Sequence, residues 1–198
     1  MIYSSANIYK EAVIMNTKNL SKISTRELCL IGMFVAIIAA CAQIAIPQPG
    51  GVPFTLQAWA ISLAGLVLGS KNGTIAASIY VLLGAVGLPV FAGFSGGLGA
   101  IIRPSGGFIL SFPAVALLAG LGAQKGSLLW IYLSLAAGSI VNWAIGLFWF
   151  NWITGFGLAA SFAYAVAPFI IVGIVRTAVL PAFYKSIQFA LRKAKVPK

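Results

Sequence analysis

The stretch SLLWIYLSLAAGSIVNWAIGLFWFNW, Ser127 to Trp152, carries no charged residue. It exceeds the roughly 20 mostly apolar residues that an α-helix needs to cross a bilayer core. Working outward from it, Gln124-Lys125-Gly126 ends a preceding apolar run from about Gly107 to Ala123. A softer stretch follows, Thr154 to Ala167, which reads as a short re-entrant or amphipathic helix. Pro168 then opens a last run to about Arg192; proline suits a first helical turn, where its missing N–H costs nothing. Upstream, Leu28 to Ile46 is one run, ended by Pro47-Gln48-Pro49-Gly50-Gly51. A second runs from about Phe54 to Gly69 and is broken by Ser70-Lys71-Asn72-Gly73; a third runs from Thr74 to about Val90. The expected fold is therefore all-α, with six transmembrane helices.

Composition agrees. Of 198 residues, 61% are hydrophobic and only 8% charged, with a mean hydropathy of +1.02. A soluble domain carries about a quarter charged residues, so a soluble enzyme is excluded, and so is a disordered chain, which needs low hydrophobicity. One domain is expected: a cytoplasmic segment 1–27, a membrane domain 28–192 and a basic tail 193–198. Residues 1–14 lack a secretory signal, and Met15 is a second candidate start.

The net charge of +11 reads as topology, not as nucleic-acid binding. Lys10, Lys18, Lys22 and Arg26 precede the first run, and Lys185, Arg192, Lys193, Lys195 and Lys198 close the chain. Lys71 and Lys125 lie in the loops that six spans place on the same side. The positive-inside rule then puts both termini in the cytoplasm. Two arginines fall outside this scheme: Arg103 in an outer loop and Arg176 within the last run.

The chain has no histidine, and its acids are Glu11 and Glu27 alone. A proton-coupled carrier needs a titratable group within the membrane, and hydrolysis needs paired carboxylates or a nucleophilic triad. A metal site needs clustered ligands; Cys29 and Cys41 stand about 18 Å apart on one helix, too far for a disulfide. No phosphate-binding GxxxxGK[ST] loop is present. No catalytic residue, metal or cofactor is expected, and any uphill transport would draw its energy from a partner.

Arg103 and Arg176 have no acidic partner after Glu27. An unpaired arginine in an apolar setting needs acceptors, and its planar fork suits a carboxylate. Gly96 and Gly97 in the segment AGFSGGLGAIIRPSGG (92–107) let backbone approach a ligand, and Ser105 opens the next helix, whose N-terminus favours an anion. Thr55, Gln57 and Trp59 at the outer start of the second run offer a cap, a hydrogen bond and an aromatic wall; Asn142 with Trp143 adds a further polar group. Gly32, Ala36 and Ala40 form a small-residue face on the first helix, suited to close helix approach.

The runs VPFTLQ (52–57), GLPVFAGFSGGLGAIIRPSGGFILSF (87–112) and APF (167–169) resemble the BioY family, the biotin-binding S components of energy-coupling factor transporters. The resemblance covers about residues 26–185. It implies a vitamin pocket open to the outside of a bacterial plasma membrane. It also implies a partner module of a transmembrane coupling protein and two ATPases, docked on the Ala36 and Ala40 face. One departure stands out: the family pattern sets an acid three residues before the basic position of the last helix, and here Gly173 precedes Arg176. Three expectations follow: weaker binding of biotin, biotin with another acceptor such as Asn142 or Gln57, or another ring-bearing acid such as lipoate. The rival outside this class is a self-sufficient secondary carrier; a lipid-modifying enzyme lacks the residues it would need.

Overall fold

The computed structural model describes residues 24–193. The basic residues Lys10, Lys18, Lys22, Lys195 and Lys198 and the candidate start at Met15 lie outside them.

Helix α1 spans Thr25–Gln43. It begins three residues before the expected Leu28 because Ser24 and Glu27 form a capping box. The Ser24 N–H donates to Glu27 Oε2 at 2.8 Å, and the Glu27 N–H donates to Ser24 Oγ at 3.2 Å. At the other end the chain leaves the helix early. Strand β1 (Ala45–Ile46) pairs antiparallel with β2 (Phe54–Thr55), in register Ala45 with Thr55 and Ile46 with Phe54. This small ladder corrects the purely helical expectation. Pro47, Pro49 and Pro53 lack the N–H a helix requires, and the flanking backbone satisfies its polar groups across the turn instead.

Helix α2, Gln57–Ala85, is a hairpin of two arms, 57–68 and 70–85, folded at Gly69 (φ +81°, ψ 175°). The Gln57 amide donates to the Tyr80 hydroxyl, 23 residues on. Those residues would lie about 35 Å apart on a straight helix. A Cβ on Gly73 would stand 2.7 Å from the Gly65 Cα, so the arms touch. The break was expected over Ser70–Gly73. Instead Gly69 alone makes the reversal, through a positive φ that only glycine adopts freely, and residues 70–73 begin the second arm.

A 3₁₀ turn (Ala92–Phe94) and two short helices, α3 (Leu98–Ile101) and α4 (Gly106–Leu110), lead into α5 (Phe112–Gln124). The expected single run Gly107–Ala123 is thus bent at Ser111, because Pro113 cannot donate to the ladder below it. Helix α6 spans Leu128–Thr154. The softer stretch contains α7 (Leu158–Ala165), a short helix as expected, and α8 runs Ala167–Lys193 with Pro168 in its first turn.

The main core joins α1, both arms of α2 and α5 around Ile38, Ile61, Tyr80, Phe91 and Phe112. Leu66, Leu135, Leu180 and Tyr184 join α2, α6 and α8. Among the described residues, α1, α6 and residues Ala167–Ala190 of α8 are each long and apolar enough to cross a membrane; the 29 residues of α2 are as apolar but divided between two arms, and α5 is shorter. Their outer faces expose large apolar side chains such as Leu129, Phe148 and Ile171. A water-exposed helix does not carry such a face, whereas a lipid-facing one does.

Candidate functional site

At the end opposite Gly69 lies a cavity of about 470 Å³. That volume suits a small molecule, given the roughly 300–1,000 Å³ of most ligand pockets. Its walls come from the β1–β2 turn, the start of α2, the segment 91–105, α4, the middle of α6 and the first turns of α8. Thr55, Gln57, Trp59, Arg103, Ser105, Asn142 and Arg176 all reach it. Residues scattered over the whole sequence thus share one space.

Their states differ. Gln57 is buried and largely committed: Thr55 Oγ1 donates to its Oε1 at 2.9 Å, its Nε2 donates to Tyr80, and Tyr80 donates to the Val90 carbonyl at 3.0 Å. Thr55 also accepts from the Gln57 N–H at 3.4 Å, so it assists the helix start from outside the cap position. Asn142 is oriented. Its Nδ2 donates to the Phe108 carbonyl at 3.1 Å and to Ser111 Oγ at 2.6 Å, and Ser111 Oγ spends its own proton on the Phe108 carbonyl at 2.8 Å. Both Nδ2 protons are used, so the amide offers the cavity an acceptor, Oδ1.

The two arginines divide the same way. Arg176 is 4% exposed and held in place: Nη1 donates to the Ala58 carbonyl at 3.2 Å and Nη2 to Ser139 Oγ at 2.6 Å, while Nε is buried with no partner. Arg103 is exposed on the rim. Only its backbone is anchored, by Trp149 Nε1 donating to its carbonyl at 3.1 Å; its guanidinium has no polar partner among the described residues. No carboxylate lines the cavity.

The glycine-rich segment serves differently from expectation. Gly96 and Gly97 do not line the cavity. A Cβ on Gly96 would stand 2.3 Å from the Leu88 carbonyl oxygen, so Gly96 packs against the turn that follows α2, and the Gly97 N–H donates to the Gly84 carbonyl at the end of α2. Ser105 is a wall residue rather than the cap of a long helix: α4 is five residues long, and Gly107 lets it sit against α6, where a Cβ would meet Trp149 Cβ at 2.3 Å. Gly32, Ala36 and Ala40 lie on the exposed face of α1.

Sequence reasoning set the aromatic wall at Trp59, which lines the cavity, and missed three phenylalanines. Phe54 and Phe169 are 4.5 Å apart between ring centroids, and Phe169 stacks on Phe108 at 5.9 Å. All three lie inside the quoted motif runs, which was the available signal. Gln43, at the end of α1, was also missed; its amide bonds span to the segment 90–94. At Gly173 a Cβ would stand 2.4 Å from Trp143 Cζ2, so the indole occupies the space a side chain there would need.

Residues 15–193 match the model of the BioY family. The chain is 44% identical over 153 residues to the "Probable biotin transporter BioY" of Pyrococcus horikoshii, covering 77% of this chain and 90% of that one. It is 46% identical over 127 residues to the biotin transporter BioY of Thermotoga maritima, covering 64% and 75%. The crystal structure of the S-component for biotin from an ECF-type ABC transporter superposes with a TM-score of 0.72, at 26% identity, over 86% of this chain and 93% of that one.

Proposed function

The chain belongs to the BioY family, and on that premise we propose that it is the membrane subunit that captures biotin for an energy-coupling factor transporter. The observation that carries the reading is the cavity itself: it joins a free guanidinium at its rim to an aromatic wall and one oriented acceptor. The biotin carboxylate meets Arg103. The bicyclic ring lies against Phe54, Phe108 and Phe169, and a ureido N–H donates to Asn142 Oδ1. Arg176, held by Ala58 and Ser139, supplies a fixed positive charge toward the ureido oxygen. No bond is made or broken, so the subunit needs no catalytic group.

Six membrane crossings fit α1, the two arms of α2, α4 with α5, α6 and α8. Arg26, Lys71 and Lys125 lie toward the Gly69 end, and by the positive-inside rule this supports a reading in which that end faces the cytoplasm and the cavity faces the outside of the cell membrane. ATP hydrolysis falls to partner subunits, two ATPases and a coupling protein that docks on Gly32, Ala36 and Ala40.

Arg103→Ala tests the reading. Removing a charge-assisted bond should weaken biotin about tenfold to a hundredfold and leave a neutral biotin amide within about twofold. Tryptophan fluorescence titration of the purified protein measures both, and equal losses would refute the carboxylate assignment. Trp143 filling the space beside Gly173 favours a second reading, in which a less polar ring acid such as lipoate competes with biotin for the same Arg103 anchor.

A further inference from the structure

We propose that Gln43 is a positioning residue that holds the cavity's covering segment in place and thereby sets how slowly a captured ligand escapes. The inference rests on the reading of the cavity as the biotin site. Ala92 and Gly93 form the tip of that segment and line the cavity, as does Gln43 itself. The segment's base is secured independently: Phe91 is buried beside Tyr80, its N–H donates to the Ser95 carbonyl at 3.0 Å, and Ser95 Oγ donates to the Ala92 carbonyl at 2.8 Å. The tip is different. Phe94 has φ +54°, a conformation a bulky side chain rarely adopts, and its side chain is exposed. It needs an outside tie to stay so.

The Gln43 amide provides that tie with both ends. Its Oε1 accepts from the Phe94 N–H at 2.9 Å. Its Nε2 donates to the Phe91 carbonyl at 3.2 Å and, within α1, to the Ala39 carbonyl at 3.1 Å, with Val90 at 3.4 Å. The Val90 carbonyl also receives Tyr80, which receives Gln57. One side chain at the end of α1 therefore connects that helix to the segment over the cavity and, through Val90, to the polar start of α2. Glutamine suits the position because it brings a donor and an acceptor on one planar group, at the reach of three side-chain carbons.

The test compares wild type with Gln43→Met, which keeps the length and removes every hydrogen bond of the amide. Biotin dissociation followed by stopped-flow tryptophan fluorescence should accelerate about tenfold, while association stays within about twofold. Amide hydrogen exchange at residues 91–95 should also accelerate, with arm 57–68 unchanged. Gln43→Glu keeps the acceptor for Phe94 and should restore slow exchange there in part. A purely structural role would lower the fraction of binding-competent protein and leave the dissociation rate of that fraction untouched, which would overturn the proposal. So would an unchanged rate in Gln43→Met. If the wild type binds no biotin, the functional reading fails by itself. The exchange measurement then still decides the tie: acceleration confined to 91–95 supports it, and uniform acceleration overturns it.

Discussion

The two ends of the molecule share close glycine contacts but differ in the side chains that bridge their elements. At the Gly69 end, helices meet where side chains are missing. A Cβ on Gly65 would stand 2.2 Å from the Ala116 carbonyl oxygen, and one on Gly120 would stand 2.3 Å from the Ser70 nitrogen. Two polar ties close this end: Asn72 Nδ2 to Glu27 Oε1 at 3.0 Å and Gln124 Nε2 to Ser70 Oγ at 2.9 Å. At the cavity end, long polar side chains bridge segments: Gln43, Asn142 and Arg176 each reach across to another element, and Gln57 reaches the other arm of α2. Backbone-to-backbone contact gives a rigid base. Side-chain struts leave a space that a ligand can fill.

The contrast breaks first at Gly120. Gly120→Leu should abolish most folded protein, since the new atoms would meet backbone that cannot yield, at a cost of about 3 kcal/mol or more. Size-exclusion yield and thermal unfolding report it, and a normally folded variant would show that the base is not close-packed. Asn142→Leu should do the reverse. Biotin affinity falls about tenfold, by roughly 1.4 kcal/mol, while thermal stability changes less than in Gly120→Leu. A large loss of stability with unchanged affinity would make Asn142 a strut and nothing more. Gly173→Ala sharpens the comparison with the smallest effect. The atom it would meet is the edge of the Trp143 indole, a side chain facing an open space, so the protein should fold normally. The indole must turn, shifting the fluorescence maximum and changing the ratio of biotin to lipoate affinity by a few-fold. No shift in that ratio would separate Trp143 from ring recognition.

Much of the fold was legible because hydropathy records it directly. The runs around Leu128–Thr154 and Ala167–Lys193 stand within a residue or two of their expected bounds. The misplaced reversal has a physical cause: Ser70-Lys71-Asn72-Gly73 has loop composition, but its polar groups cap and tie a helix already begun, as Thr74 Oγ1 donating to the Ser70 carbonyl shows. The cavity's polar members were visible as polar residues in apolar runs. Their differing states were not, because only the packing says whether an arginine finds carbonyls, as Arg176 does, or faces open space, as Arg103 does. Phe108 and Phe169 look like any core aromatics; nothing in residue type separates a ring that lines a cavity from one that fills a core.

The hairpin at Gly69 has one more consequence, for the lipid around it. Its arms are about 18 and 24 Å long and α5 about 20 Å, against about 40 Å for α6 and α8 at 1.5 Å per residue. A hydrocarbon core is about 30 Å thick. On the proposed six crossings the two arms of α2 fall short of that thickness, α4 with α5 comes near it at about 28 Å, and α6 and α8 exceed it. On that reading, lipid beside the α2 arms would thin or draw headgroups inward, at a fraction of a kcal/mol per Å of mismatch. The proposed crossings thus give the protein a lopsided membrane footprint, through which lipid thickness would bias its tilt.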